Sequence, residues 1–148
     1  MPKVYLDRGR RTERIRYDSI EISGKFIQVY DDLHETLFQI GSACAIHLIL
    51  WMAQHMGHYN QIVMNKVKRA EFAAESISNG GRRYSDETIK AALRQLSKAQ
   101  LIISMSDEGK RDASYFVNPY HFWKTGSQRD RTESIKAYIY KLEQNEAN

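Results

Sequence analysis

Cys44, His47, His55 and His58 carry the sulfur and imidazole donors that bind transition metals, and their offsets of 3, 11 and 14 residues put them on one side of a helix. At about 1.5 Å rise per residue, however, positions 44 and 58 stand ~20 Å apart, too far to share one ion. No metal and no cofactor is expected. Glu71 and Glu75 resemble a pair of catalytic acids, but Lys68 with Glu71 or Glu75 reads as a helix-surface charge pair. Gly80-Gly81 lacks the Lys-Ser/Thr that completes a phosphate loop, and no nucleophile motif is present. The chain is therefore not expected to be an enzyme.

A second set of side chains is suited to gripping an anion: Arg82, Arg83, Tyr84, Ser85, Thr88, Lys90, Arg94 and Lys98. Ser85 is a natural N-cap, Asp86 and Glu87 complement the positive end of a helix dipole, and Ile89, Leu93 and Leu96 repeat at i, i+4 and i+7. At about 100° per residue, Ile89, Ala92, Leu93 and Leu96 share one side, while Glu87, Lys90, Ala91, Arg94 and Lys98 share the other. One face belongs to a core and the other is basic. Arg pairs bidentately with guanine and also grips phosphate, whereas Ser and Thr make shorter contacts to either. Arg82, Arg83, Tyr84, Ser85 and Thr88, at the start of the helix, are placed to reach base edges.

The surrounding elements must position that helix. Phe26 to Tyr30 has strand composition. Asp31 or Asp32 is expected to cap a helix with Leu33, Leu37 and Ile40 on one stripe, ended by Gly41-Ser42. Ala43 to about Met56 is apolar nearly all round and reads as a central helix. Ile62 to Met64 is a short strand. Val67 to Ile77 is a helix whose core face is expected to hold Val67, Ala70, Ala74 and Ile77, with Phe72 and Ala73 beside them. Ser78-Asn79-Gly80-Gly81 breaks it, and the Ser85 helix follows to about Ala99. Leu101 to Met105 and Ser114 to Val117 read as a β-hairpin with Lys110 and Arg111 in its turn. Asn118-Pro119 ends the second strand, Phe122-Trp123 supplies an aromatic plug, and Arg129 to Glu143 forms a helix with an Ile135, Tyr138, Ile139, Leu142 stripe. This is the order of a winged helix-turn-helix, mainly α with a small β-hairpin, in which the helix before the hairpin enters the DNA major groove.

Charge points to the same partner. The 148 residues carry 22 Lys and Arg against 18 Asp and Glu, a net +4. Residues 1–16 alone account for it: Lys3, Arg8, Arg10, Arg11, Arg14 and Arg16 outnumber Asp7 and Glu13, six minus two. Such a segment buries too little surface to offset its ordering entropy, so residues 1–24 are expected to be a flexible basic arm with a polyanionic counterpart. Residues 25–126 make the winged-helix domain and 127–148 the C-terminal helix. A single Cys, no apolar leader and no span of ~20 apolar residues imply a reducing, cytoplasmic setting with no membrane.

The strand Phe26-Ile27-Gln28-Val29-Tyr30, the helix Ala70-Glu71-Phe72-Ala73-Ala74-Glu75-Ser76, the run Ser85 to Leu96, Leu101-Ile102-Ile103, and above all Tyr115-Phe116-Val117-Asn118-Pro119 followed by Phe122-Trp123-Lys124-Thr125-Gly126 resemble the RepL-type plasmid replication initiators. The Asn-Pro ending is the more specific part, Thr125 separates Lys124 from Gly126 where the family has them adjacent, and the likeness spans about residues 26–126. It implies a bacterial protein that binds an origin on double-stranded DNA and recruits host replication proteins to a plasmid or phage replicon. A winged-helix transcriptional regulator is the alternative, and a protein interaction module with a solubilising arm the second. The C-terminal stripe serves either a homodimer or docking onto the chain's own core.

Overall fold

The computed structural model describes residues 27–105, 113–124 and 127–147, and in it the chain is mainly helical with two small antiparallel sheets. The elements run β1 (Gln28–Val29), α1 (Leu33–Phe38), α2 (Ala43–His55), a 3-10 turn (His58–Asn60), β2 (Gln61–Val63), α3 (Lys66–Ser78), α4 (Asp86–Lys98), β3 (Ile102–Ser104), β4 (Ser114–Val117), β5 (Phe122–Trp123) and α5 (Gln128–Ala147). Of the expected strand Phe26 to Tyr30, Phe26 lies outside the described residues, and β1 forms at Gln28 and Val29, Gln28 lying opposite Trp123 and Val29 opposite Phe122. Asp32 stands at the N-cap of α1 but makes no side-chain capping bond.

Ser42 caps α2 by accepting from the Ala45 N–H at 3.2 Å. Burial of Cys44, Ala45, Leu48, Ile49, Trp51, Met52 and Ala53 makes α2 the centre of the core, as a helix apolar nearly all round must be. At its far end the Lys124 ammonium donates to the carbonyls of Gln54 at 2.5 Å and Met56 at 3.0 Å. Carbonyls at a helix end have no partner within the helix, so this lysine serves as a cap. Just beyond, Asn60 takes a left-handed backbone (φ 59°), which Asn tolerates better than most residues. Its buried amide donates to the carbonyls of Val117 at 3.2 Å and Phe122 at 2.8 Å, tying the exit of α2 to the end of β4 and to β5.

The larger sheet has the order β2-β4-β3. Ile62 faces Tyr115 and Ile103 faces Phe116, so the strand between α2 and α3 joins the hairpin that follows α4. The aromatic plug forms as expected, with Phe122 and Trp123 buried.

The apolar stripe expected to seat α3 points the other way. Val67, Ala70, Ala74 and Ile77 are all exposed, Val67 by 66%, and the buried residue of α3 is Phe72. Phe72 stacks on Tyr84 at 5.8 Å between ring centroids and meets Trp51 edge-on at 5.6 Å. A phenyl ring removes roughly 150–250 Å² from water and gains further from aromatic neighbours, and Phe72, seated between Trp51 and Tyr84, sets the rotation of the helix.

α5 docks on the hairpin. Tyr138 is buried edge-on against Phe116 at 5.3 Å, and its hydroxyl donates to the Gln100 carbonyl at 2.9 Å. Arg131 lies 3.5 Å over the Tyr30 ring and donates to the carbonyls of Pro119 and Tyr120. Of the C-terminal stripe, Tyr138 and Leu142 thus join the chain's own core, while Ile139 stays exposed.

Replacing Phe72 by Ala is expected to cost about 3–5 kcal/mol, whereas Val67→Thr should change stability by no more than about 0.5 kcal/mol. Urea midpoints of the two variants check this; a large loss for Val67→Thr with little for Phe72→Ala would place the stripe, not the ring, in the core.

Candidate nucleic-acid interface

Local chemistry holds α4 at both ends. Ser85 Oγ accepts from the Thr88 N–H at 3.2 Å and lies 2.8 Å from Thr88 Oγ1, so the expected cap forms. At the other end Gln100 takes φ 62°, its N–H donates to the Ser97 carbonyl and that of Leu101 to the Leu96 carbonyl, both at 3.0 Å. This is a Schellman ending with glutamine where glycine is usual, secured by the buried Leu96 and Leu101 side chains. Between them, Ile89, Ala92, Leu93 and Leu96 are buried against α2.

The turn from α3 into α4 is equally tight. Gly80 has φ 79°. The Gly81 N–H donates to the Ser76 carbonyl at 2.7 Å, and a Cβ on Gly81 would stand 2.9 Å from that oxygen, too close for any side chain. Ser76 Oγ then donates to the Arg82 carbonyl at 2.7 Å, which directs the chain as it leaves the turn.

Arg69 fastens these pieces together. Its guanidinium donates to Asp86 at 2.7 Å and to the Met64 carbonyl at 2.9 Å, so one side chain on α3 grips the end of β2 and the first turn of α4. The hydrogen bond from Arg69 holds the Asp86 carboxyl below its ordinary value, with help from the charges of Arg69 and Lys90. Asp86 was expected as a helix-dipole partner; it is also the anchor of α4. Nothing in the local sequence marks this pair, because the partners lie on different helices.

Arg82, Arg83, Ser85, Thr88, Arg94 and Lys98 are all exposed, and the face formed by Glu87, Arg94 and Lys98 is not covered by any described part of the chain. Lys90 is half-buried, 3.6 Å from Asp86 and 3.7 Å from Glu87, so its charge is already shared. Tyr84 is a correction: it is buried, stacked on Phe72, with its hydroxyl hydrogen-bonded to His47 Nδ1 at 2.9 Å. Its ring belongs to the core and cannot read a base. Lys110, Arg111, Arg8, Arg10 and Arg11 lie outside the described residues.

The metal-type donors have other occupations. Burial pushes the Cys44 thiol up to about 11, His47 bonds Tyr84, and His55 stacks on Trp51 at 4.1 Å. Glu75 accepts from Trp51 Nε1 at 2.6 Å, while Lys68 pairs with Glu71 at 3.3 Å. No described helix is long and apolar enough to cross a membrane. Comparison of the chain with models of known protein families, with curated proteins and with solved structures found no match.

Because its folded-state pKa is lowered, Asp86 stabilises the fold above the ordinary Asp value near about 4, and that stability is lost as pH falls through the lowered folded value. Asp86→Asn should therefore be less stable than the parent at pH 7, with the gap closing as acid protonates Asp86. Denaturant midpoints across a pH series check this; a gap that persists unchanged into strong acid contradicts the role given to the ion pair.

Proposed function

We propose that the chain is a sequence-specific double-stranded DNA-binding protein of winged-helix type that initiates replication at a plasmid or phage origin. The observation that carries the DNA-binding part is the open outer face of α4, which bears Arg94 and Lys98, follows exposed Arg82 and Arg83, and stands on a helix seated by its aliphatic side. The order of α2, β2, α3, α4, β3 and β4, with β2 paired into the hairpin, supports the winged-helix reading. In that reading α4 enters the major groove, and the residues at its start approach base edges. The more distant lysines and the basic residues 1–24 act on phosphates through charge and counterion release.

The replication role rests on the resemblance carried by Asn118-Pro119, Phe122-Trp123 and Lys124. Each of these has a task in the fold: Asn118 donates to the Gln100 carbonyl at 3.0 Å, the aromatic pair fills the core, and Lys124 caps α2. Recruitment of host replication proteins belongs to the same reading. A transcriptional regulator is the second reading, and it is favoured by a groove of about 310 Å³ between α2 and α3. Leu50, Trp51, Phe72 and Glu75 line this groove, which reaches Gly81 in the turn before α4, where an apolar ligand could act on the reading head.

Each phosphate contact contributes about −0.9 to the slope of log affinity against log salt, so Lys98→Ala should reduce the steepness by about that amount on every duplex. Deleting residues 1–16 should weaken all duplexes alike, while Arg82→Ala and Thr88→Ala should change the preference between sequences. A near-flat slope for the full chain would favour a protein interaction module instead. Joint replacement of Arg82, Arg83 and Arg94 should abolish maintenance of the replicon; a change in transcript levels alone would identify a regulator.

A further inference from the structure

The outer face of α4 is not uniformly cationic. Glu87, Ala91, Arg94 and Lys98 follow one another at i, i+4, i+7 and i+11, a single column down the helix with a carboxylate at its N-terminal end. The two acids of the first turn have different circumstances. Asp86 is committed to Arg69 at 2.7 Å, whereas the Glu87 side chain is 82% exposed and has Lys90 at 3.7 Å as its charged neighbour among the described residues. A pair so exposed and so long is held weakly and yields readily to another partner.

A carboxylate directed at a polyanion is unfavourable unless it finds a donor there. Ionised Glu is an acceptor only. In the major groove guanine offers N7 and O6 and thymine offers O4, all of them acceptors that repel it. Adenine offers its N6 amino group, but beside the N7 acceptor. Cytosine offers the N4 amino group with no acceptor next to it on that edge. Ala91, the next residue of the column, carries only a methyl group and leaves room for the helix to approach closely.

We infer that Glu87 is the specificity-determining residue with which α4 selects a cytosine, at the position of the target site that meets the first turn of the helix. The inference rests on the duplex-reading function proposed above. Glu87 contributes discrimination rather than affinity: it disfavours every other base at that position, while Arg94 and Lys98 supply attraction.

The test is enrichment of bound duplexes from randomised double-stranded DNA, carried out with the full chain and with its Glu87→Gln and Glu87→Ala variants. The side chain is exposed, so both variants keep the fold. The parent protein should enrich a site in which one position is cytosine by about tenfold or more over the other bases. Glu87→Gln should move that single position toward adenine, whose N6 and N7 match a carboxamide, and Glu87→Ala should leave it without preference. The rest of the site should be unchanged in both. If all three proteins enrich the same site, the assignment of Glu87 is overturned while duplex recognition stands. If the parent protein enriches no sequence and retains no duplex at low salt, both the assignment and the function beneath it are overturned.

Discussion

The burial of one side of α4 against α2 is the interaction on which the rest of the molecule depends. Ile89, Leu93 and Leu96 each contribute on the order of 1.5–3 kcal/mol by leaving water, and Ala92 lets the helices approach. With that side fixed, Arg94 and Lys98 must face outward, because turning the helix would bury unpaired cations at a cost of several kcal/mol each. The contact sets the rotation of α4 about its own axis. Arg69, holding Asp86 and the Met64 carbonyl together, sets where its first turn begins. The hairpin continues the arrangement, since the Schellman ending at Gln100 passes the chain directly into β3.

How much of this could be read beforehand follows from how local each determinant is. The amphipathic pattern of α4, its Ser85 cap and the Gly80-Gly81 break are all contained in a few adjacent residues, and they form as expected. The hairpin and the aromatic plug were legible for the same reason. The rotation of α3 was not. Its sequence offers two overlapping apolar faces, and the choice between them is made by Trp51 and Tyr84, residues on either side of it in sequence that close around Phe72. Tyr84 is ambiguous in sequence for a related reason: a ring with a hydroxyl suits a wet face or a core with a hydrogen-bonding partner, and His47 is that partner. The Arg69–Asp86 pair and the pairing of β1 with β5 join segments distant in sequence and leave no periodic signature.

The features that make the site also divide its labour. Groups whose charge is spent within the fold, Asp86 and Arg69 above all, orient α4. Groups left open on its outer column, Glu87, Arg94 and Lys98, are those a partner can meet. A helix held so firmly behind and so open in front leaves its outer column accessible to a partner. The cation-to-carbonyl contacts of Lys124 and Arg131 serve the frame in the same manner, securing α2 and α5 around the hairpin.

The central claim is that the outer column of α4 is where a duplex lies. Amide-resolved NMR titration of the full chain with double-stranded DNA carrying its selected site tests it most directly. The account predicts that the largest shifts fall on Arg82 to Thr88 and on Ala91, Arg94 and Lys98, with the inner residues of α2 little moved. Shifts confined to the outer side of α3 or to α5, with α4 unmoved at saturation, would contradict it.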